Sequence, residues 1–174
     1  DKNNEIIDKP SEKWDHESAP IMCYMYGGHV VHLKVRGINL TELPSDIKEF
    51  SFLNTLDLRG NQIKRLPESL GALKWLEELY LGRNQLRMLP GTLSDLRELV
   101  KVDLSYNEFE VIPPPIFELT NLRELNLANN QISSLPSKIT HLERLRFIDL
   151  TGNNIESVDS SFKNNLHTYI AIKL

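Results

Sequence analysis

The residues of this chain whose type and spacing come nearest to a catalytic arrangement are three aspartates, Asp57, Asp103 and Asp149. Each occupies the same place in a short alternating apolar/polar segment, in every second such segment. If those segments are neighbouring strands about 4.8 Å apart, alternate strands put the carboxylates roughly 10 Å from one another. Carboxylate pairs that hydrolyse glycosides stand about 5 to 9.5 Å apart, so distance alone does not exclude acid–base chemistry. An open strand face, however, offers no pocket that would raise a carboxyl pKa. Cys23, His29 and His32 invite a metal reading, but their spacing matches no standard four-ligand zinc motif and a fourth ligand is missing. The plainer expectation is a buried cysteine beside exposed histidines. The remaining histidines, His16, His141 and His167, are scattered, and no phosphate loop, nucleophile elbow or H-E-x-x-H sequence occurs. The chain is read as non-enzymatic, without cofactor or metal.

Composition narrows the class further. The 174 residues fit one domain, and a net charge of −4 with a pI near 5.8 argues against a nucleic-acid surface, which needs a concentrated basic stripe. No segment approaches the length of a membrane span. The polar opening at Asp1 carries no signal-peptide pattern and reads as a start lying further upstream. A single cysteine precludes an intrachain disulfide within these residues, which favours the cytoplasm, with the nucleus as an alternative. One Asn-x-Thr triplet, Asn39-Leu40-Thr41, is what chance gives in a chain this long.

What positions these side chains is a repeat. Val30, Leu53, Leu76, Leu99, Leu122 and Leu145 open successive units of 23 residues, typified by LNTLDLRGNQIKRLPESLGALKW. The L-x-L portion alternates as a half-buried strand must, so Leu56 and Leu58 point in while Thr55, Asp57 and Arg59 point out. After Asn61 the apolar spacing changes to three or four at Ile63, Leu66, Leu70 and Leu73. That spacing predicts a turn and a short helical or 3₁₀ return onto the same core. Proline at 44, 67, 90, 113 and 136 suits the first turn of each return. The column Asn61, Asn84, Asn107, Asn130 and Asn153 sits where the strand must turn, and an amide there can serve backbone groups of its own coil and the next.

This pattern resembles the leucine-rich repeat superfamily, in its 23-residue L-P-x-x-I/L type, and is similar to intracellular Ras-suppressor-like and Sur-8-like proteins and to plant Ras-group-related repeat proteins. The resemblance covers about Val30 to Val158. It implies an α/β solenoid, a curved horseshoe whose parallel sheet lines a concave face used for protein binding.

The ends depart from the pattern. The first unit has Ile38 in the asparagine column, and the sixth has Asp159 in place of proline and Asn165 at a core position. Outer units of a solenoid differ because one face meets water. Gly27-Gly28 suits a two-residue hairpin turn, so Ile21 to Tyr26 is expected to fold back on the first repeat strand as a cap. Residues 1–20 read as extended, with Trp14 pinning them to the core, and LHTYIAIKL as a last strand. The expected organisation is an extension and cap over 1–29, six repeats over 30–158 and a C-terminal cap over 159–174.

The outward strand positions define the surface that could bind. His32, Thr55, Glu78, Lys101, Glu124 and Phe147 form one column whose middle reads as a surface charge ladder. Tyr80 stands between Asp57 and Asp103 in the next column, and Tyr106 lies on the loop side next to Arg83. Tyrosine and arginine combine large contact area with donors. The candidate partner-binding residues are therefore Tyr80, Arg83, Asp103, Tyr106, Arg123, Arg146 and Phe147. The function expected is a monomeric protein–protein interaction module that takes a protein partner on its concave face, as a scaffold or adaptor in intracellular signalling. The resemblance implies small GTPases or phosphatase subunits among such partners. Two other readings stand beside it: the substrate-recognition part of a larger enzyme, such as a ubiquitin ligase or kinase, and a fragment of a secreted receptor or effector.

Overall fold

A computed structural model of the chain describes residues 19–158 and 171–173. It opens with a hairpin of β1 (Ile21–Tyr26) and β2 (His29–Val35), antiparallel, with Tyr26 opposite His29. Gly27 and Gly28 make the turn at φ of 56° and 82°, the left-handed conformation that glycine adopts without a Cβ clash. Five short strands follow along the same sheet: β3 (Thr55–Asp57), β4 (Glu78–Tyr80), β5 (Lys101–Asp103), β6 (Glu124–Asn126) and β8 (Phe147–Asp149). Each pairs parallel with its predecessor, and β10 (Ala171–Lys173) pairs parallel with β8. The result is one eight-stranded sheet in the order β1-β2-β3-β4-β5-β6-β8-β10. A separate parallel pair, β7 (Ser134–Leu135) with β9 (Ser157–Val158), forms on the opposite limb of the last coils.

The register follows from the repeat. Leu56, Leu79, Val102, Leu125 and Ile148 lie side by side, and all are buried. The return limbs are five 3₁₀ segments, Ser45–Glu49, Glu68–Ala72, Gly91–Asp95, Pro114–Glu118 and Ser137–His141. Proline stands immediately before each one, its φ already near the helical value. Its carbonyl accepts the first i to i+3 bond, from Ile47, Leu70, Leu93, Ile116 and Ile139, at 3.0–3.2 Å. The returns bury those same residues and so close a continuous row of leucine and isoleucine behind the sheet.

The asparagine column bridges coils as expected. Asn107 donates from Nδ2 to the carbonyls of Leu81 and Leu104 at 3.1 and 3.0 Å, and its Oδ1 accepts from Leu86 N at 3.0 Å. Asn84 and Asn130 repeat the arrangement. In the first unit, where Ile38 replaces asparagine, Asn61 of the next coil accepts from both Ile38 N and Leu40 N at 3.1 Å.

Two sequence expectations are corrected. Thr55 and Asp57 belong to the strand face but are buried, Asp57 to 1% exposure because Arg36 and Arg59 from the flanking turns close over its carboxylate. Cys23 is exposed on the outer strand rather than buried, since among the described residues β1 is the sheet edge and no strand pairs with its far side. Of the histidines beside it, His29 is exposed and His32 half-buried. Trp14, Asp159 and Asn165 lie outside the described residues.

Candidate functional site

Just past the C-terminal end of each strand the chain must turn away from the sheet, and it does so through one residue at positive φ. The position recurs at Gly37, Gly60, Arg83, Tyr106, Asn129 and Gly152, with φ of 61°, 72°, 58°, 53°, 55° and 72°. Glycine takes this conformation freely and asparagine tolerates it, whereas a residue with a bulky side chain pays about 1–2 kcal/mol through Cβ crowding. Arg83 and Tyr106 therefore hold side chains at the two central positions of the column against a local preference for glycine. They stack on each other, with the Arg83 guanidinium 4.3 Å from the Tyr106 ring centroid. A partly exposed cation–π contact contributes about 0.5–1 kcal/mol, less than the combined backbone strain. Tyr106 remains 46% exposed.

One strand inward, a charged network organises the face. Arg59 donates from Nε and Nη2 to the Asp57 carboxylate at 3.1 and 2.8 Å, and its backbone N–H donates to Oδ1 at 3.2 Å. Arg36 reaches the same carboxylate from the preceding coil, Nε to Oδ2 at 2.7 Å, with its Nη2 also on Oδ2. Burial alone would raise the Asp57 pKa, but the hydrogen bonds from Arg59 and Arg36 outweigh it and hold the carboxyl below its ordinary value. The same Arg59 lies over the Tyr80 ring at 4.8 Å, and the Tyr80 hydroxyl donates to Glu78 Oε2 at 2.9 Å. Burial first, then the Glu78 carboxylate, pushes the Tyr80 hydroxyl well above the usual phenolic range, so it stays a donor. Next to this network the face carries a hollow of about 370 Å³ lined by Arg59, Tyr80, Lys101, Asp103, Glu124 and Phe147. Lys101 and Glu124 form an ion pair across it at 2.7 Å.

The sequence profile of the leucine-rich repeat region matches residues 26–124, more than half of the chain, and a second leucine-rich repeat profile matches residues 97–155. The chain is a leucine-rich repeat protein. No curated protein matches it significantly in sequence. Among solved structures it is similar to a leucine-rich repeat protein of Leptospira interrogans, with 26% identity over 77% of this chain and a TM-score of 0.64. It is also similar to the ectodomain of the receptor kinase SOBIR1 from Arabidopsis thaliana, with 27% identity over 96% of this chain and a TM-score of 0.65. A third is the plant peptide hormone receptor RGFR1 in complex with RGF2, with 27% identity over 90% of this chain and a TM-score of 0.68. The chain spans 40%, 88% and 29% of those three, respectively. Leucine-rich repeat regions are in general non-catalytic modules that bind peptides or proteins, which supports a protein-interaction module here.

Within this leucine-rich repeat protein the seven sequence candidates divide into groups. Tyr80 and Asp103 sit side by side on the face, and Phe147 stands at the far wall of the same hollow. Arg83 and Tyr106 stand together at the edge where the strands end. Arg123 and Arg146 precede their strands, so they lie at the opposite edge and do not join the other five. The aspartate column is occupied by backbone work: Asp103 Oδ1 accepts from Ser105 N and Oγ at 3.0 and 2.7 Å, and Asp149 Oδ1 from Thr151 N at 2.9 Å. Asn126 does the same for Ala128 N, so an uncharged acceptor serves that turn as well as a carboxylate. Of the charge ladder, Lys101 and Glu124 pair, while Glu78 is taken by Tyr80. Among the described residues no group of three His, Cys, Asp or Glu could hold a metal ion, and no helix is long and apolar enough to cross a membrane. The sequence reading missed Arg36 and Arg59. The glycines at 37, 60 and 152 were the signal that 83 and 106 are left-handed positions.

Proposed function

We propose that this module holds an extended segment of a partner protein across its concave face, anchored at the edge formed by Arg83 and Tyr106 and continued over Arg59 and Tyr80. The observation that carries the reading is the pair of strained, stacked, exposed side chains at positions where the same coil elsewhere uses glycine. Strain kept at two adjacent sites, incompletely offset by their mutual contact, is what selection for recognition leaves behind. The hollow beside them supplies both charge signs and the ring of Phe147, so the partner segment carries mixed polar and apolar side chains. The lone cysteine supports a cytoplasmic setting, and the resemblance to Ras-suppressor-like proteins supports a signalling scaffold or adaptor with a small GTPase or a phosphatase subunit as partner. A second reading is recognition of a peptide outside the cell; its support is the similarity to a plant peptide hormone receptor solved with RGF2.

The test is affinity capture from cell extract with the wild-type chain beside an Arg83→Gly/Tyr106→Gly variant. Glycine suits both backbone positions, so the variant keeps its fold and its melting temperature serves as the control. The reading expects a partner held by the wild type and lost by the variant. A partner retained equally by both contradicts it.

A further inference from the structure

The last residue of each unit, just before the strand, lies at the edge opposite Arg83 and Tyr106. In the later units this column is polar: Glu98, Asn121 and Arg144. At the N-terminal end the same column reads His29, Phe52 and Trp75, again 23 residues apart. Phe52 is 47% and Trp75 62% exposed, and Tyr26 of the hairpin beside them is 59% exposed. The His29 and Phe52 rings lie against each other at 4.0 Å between centroids. Together these rings and Glu77 line a hollow of about 430 Å³. We propose that this hollow is a second binding site, an aromatic pocket closed by a carboxylate that takes a cationic side chain, ammonium or guanidinium, from a partner protein.

The assignment of charge rests on the carboxylate at the rim and on the absence of a cation of the chain's own over these rings. Half-buried Tyr80 is covered by Arg59 and exposed Tyr106 by Arg83, so two ring faces elsewhere already carry a guanidinium. Among the described residues no lysine or arginine covers Phe52, Trp75 or Tyr26, and none lines the hollow. An indole face is the strongest of the aromatic partners for a cation, and the attraction grows as the site loses water. Glu77 adds a fixed negative charge at the rim. Its field, with that of Glu78, also acts on His32: burial lowers the imidazole pKa, and both carboxylates oppose that shift. The pocket thus combines ring faces, an acidic rim and no cation of its own. A neutral apolar ligand would use the rings but gain nothing from the solvated carboxylate at the rim.

Amide N–H spectra of the 15N-labelled full chain, read at the Trp75 indole, test the proposal. The probes are N-acetyl-trimethyllysine methylamide, its neutral isostere with carbon in place of the quaternary nitrogen, and N-acetyl-arginine methylamide. Saturable shifts of Trp75 with at least one of the cationic probes are expected, with the neutral isostere at least about fivefold weaker than its cationic twin. Glu77→Gln, an exposed and nearly isosteric change, should weaken the cation severalfold and leave the isostere unchanged. Equal binding of cation and isostere would make this a plain apolar hollow and overturn the proposal. Absence of binding by both cationic probes would overturn it as well.

Discussion

Replacing Tyr106 in two ways, by glycine and by alanine, separates backbone strain from side-chain loss. Both substitutions remove the ring and its 4.3 Å stack with Arg83, so that loss cancels between them. What differs is the backbone at φ 53°. Alanine keeps the Cβ crowding of the left-handed region, about 1–2 kcal/mol, and glycine relieves it. Glycine in turn loses about 0.4–1 kcal/mol because its unfolded chain is freer. The difference leaves Tyr106→Gly more stable than Tyr106→Ala by about 0.5–1 kcal/mol. For a domain of this size that is about 1–4 °C in melting temperature. Exposed Glu98, which has no positive φ, provides the reference; there alanine should exceed glycine by about 0.5–1 kcal/mol. Thermal and denaturant unfolding of the four variants measures both orders. If alanine matches or exceeds glycine at position 106, the side chain is not being held against the backbone, and the strain argument for this edge fails.

Other consequences follow from the same contacts. Asp57→Asn should cost about 1–3 kcal/mol at neutral pH, because Arg59 and Arg36 lose their shared carboxylate while keeping partial access to water. Since the native Asp57 pKa is lowered, its contribution is complete above the unfolded value of about 3.9 and fades as the pH falls through the native one. The gap between wild type and variant in urea unfolding should therefore shrink below about pH 4; a gap constant down to pH 2 would contradict the clamp. Asn107→Ala strands the Leu86 N–H, while the Leu81 and Leu104 carbonyls keep the amides of Asn84 and Asn130, and should cost about 1–3 kcal/mol by calorimetry. Leu79→Asp puts a charge between Leu56 and Val102 in the middle of the row and should cost several kcal/mol; unchanged melting would refute the strand register.

The architecture was legible because every fold-determining choice is repeated. Twenty-three-residue spacing fixes which residues face each other, so the column from His32 to Phe147 could be read without coordinates, and the structure pairs those residues as read. Features that occur once were not legible. The burial of Asp57 depends on Arg36 and Arg59 converging from two coils, and no period announces a convergence. Arg123 and Arg146 sit beside strand residues in sequence yet fall on the far edge, because they precede the strand rather than follow it. The left-handed positions at 83 and 106 could have been found by aligning them with Gly37, Gly60 and Gly152, since the conformation belongs to the turn and not to the residue. The aromatic edge at His29, Phe52 and Trp75 shares a column otherwise made of polar loop residues, and attention to the strands alone passes over it.

Recognition at the strand-end edge is the central claim, and site-specific photo-cross-linking tests it most directly. A benzophenone amino acid would replace Tyr106 in one preparation and Val111, exposed on the back limb of the same coil, in another. Each would be irradiated with the captured partner and the adducts mapped by mass spectrometry. Adducts from position 106 and none from 111 are predicted. Adducts from 111 with none from 106 would move the binding surface to the back of the solenoid and contradict the account.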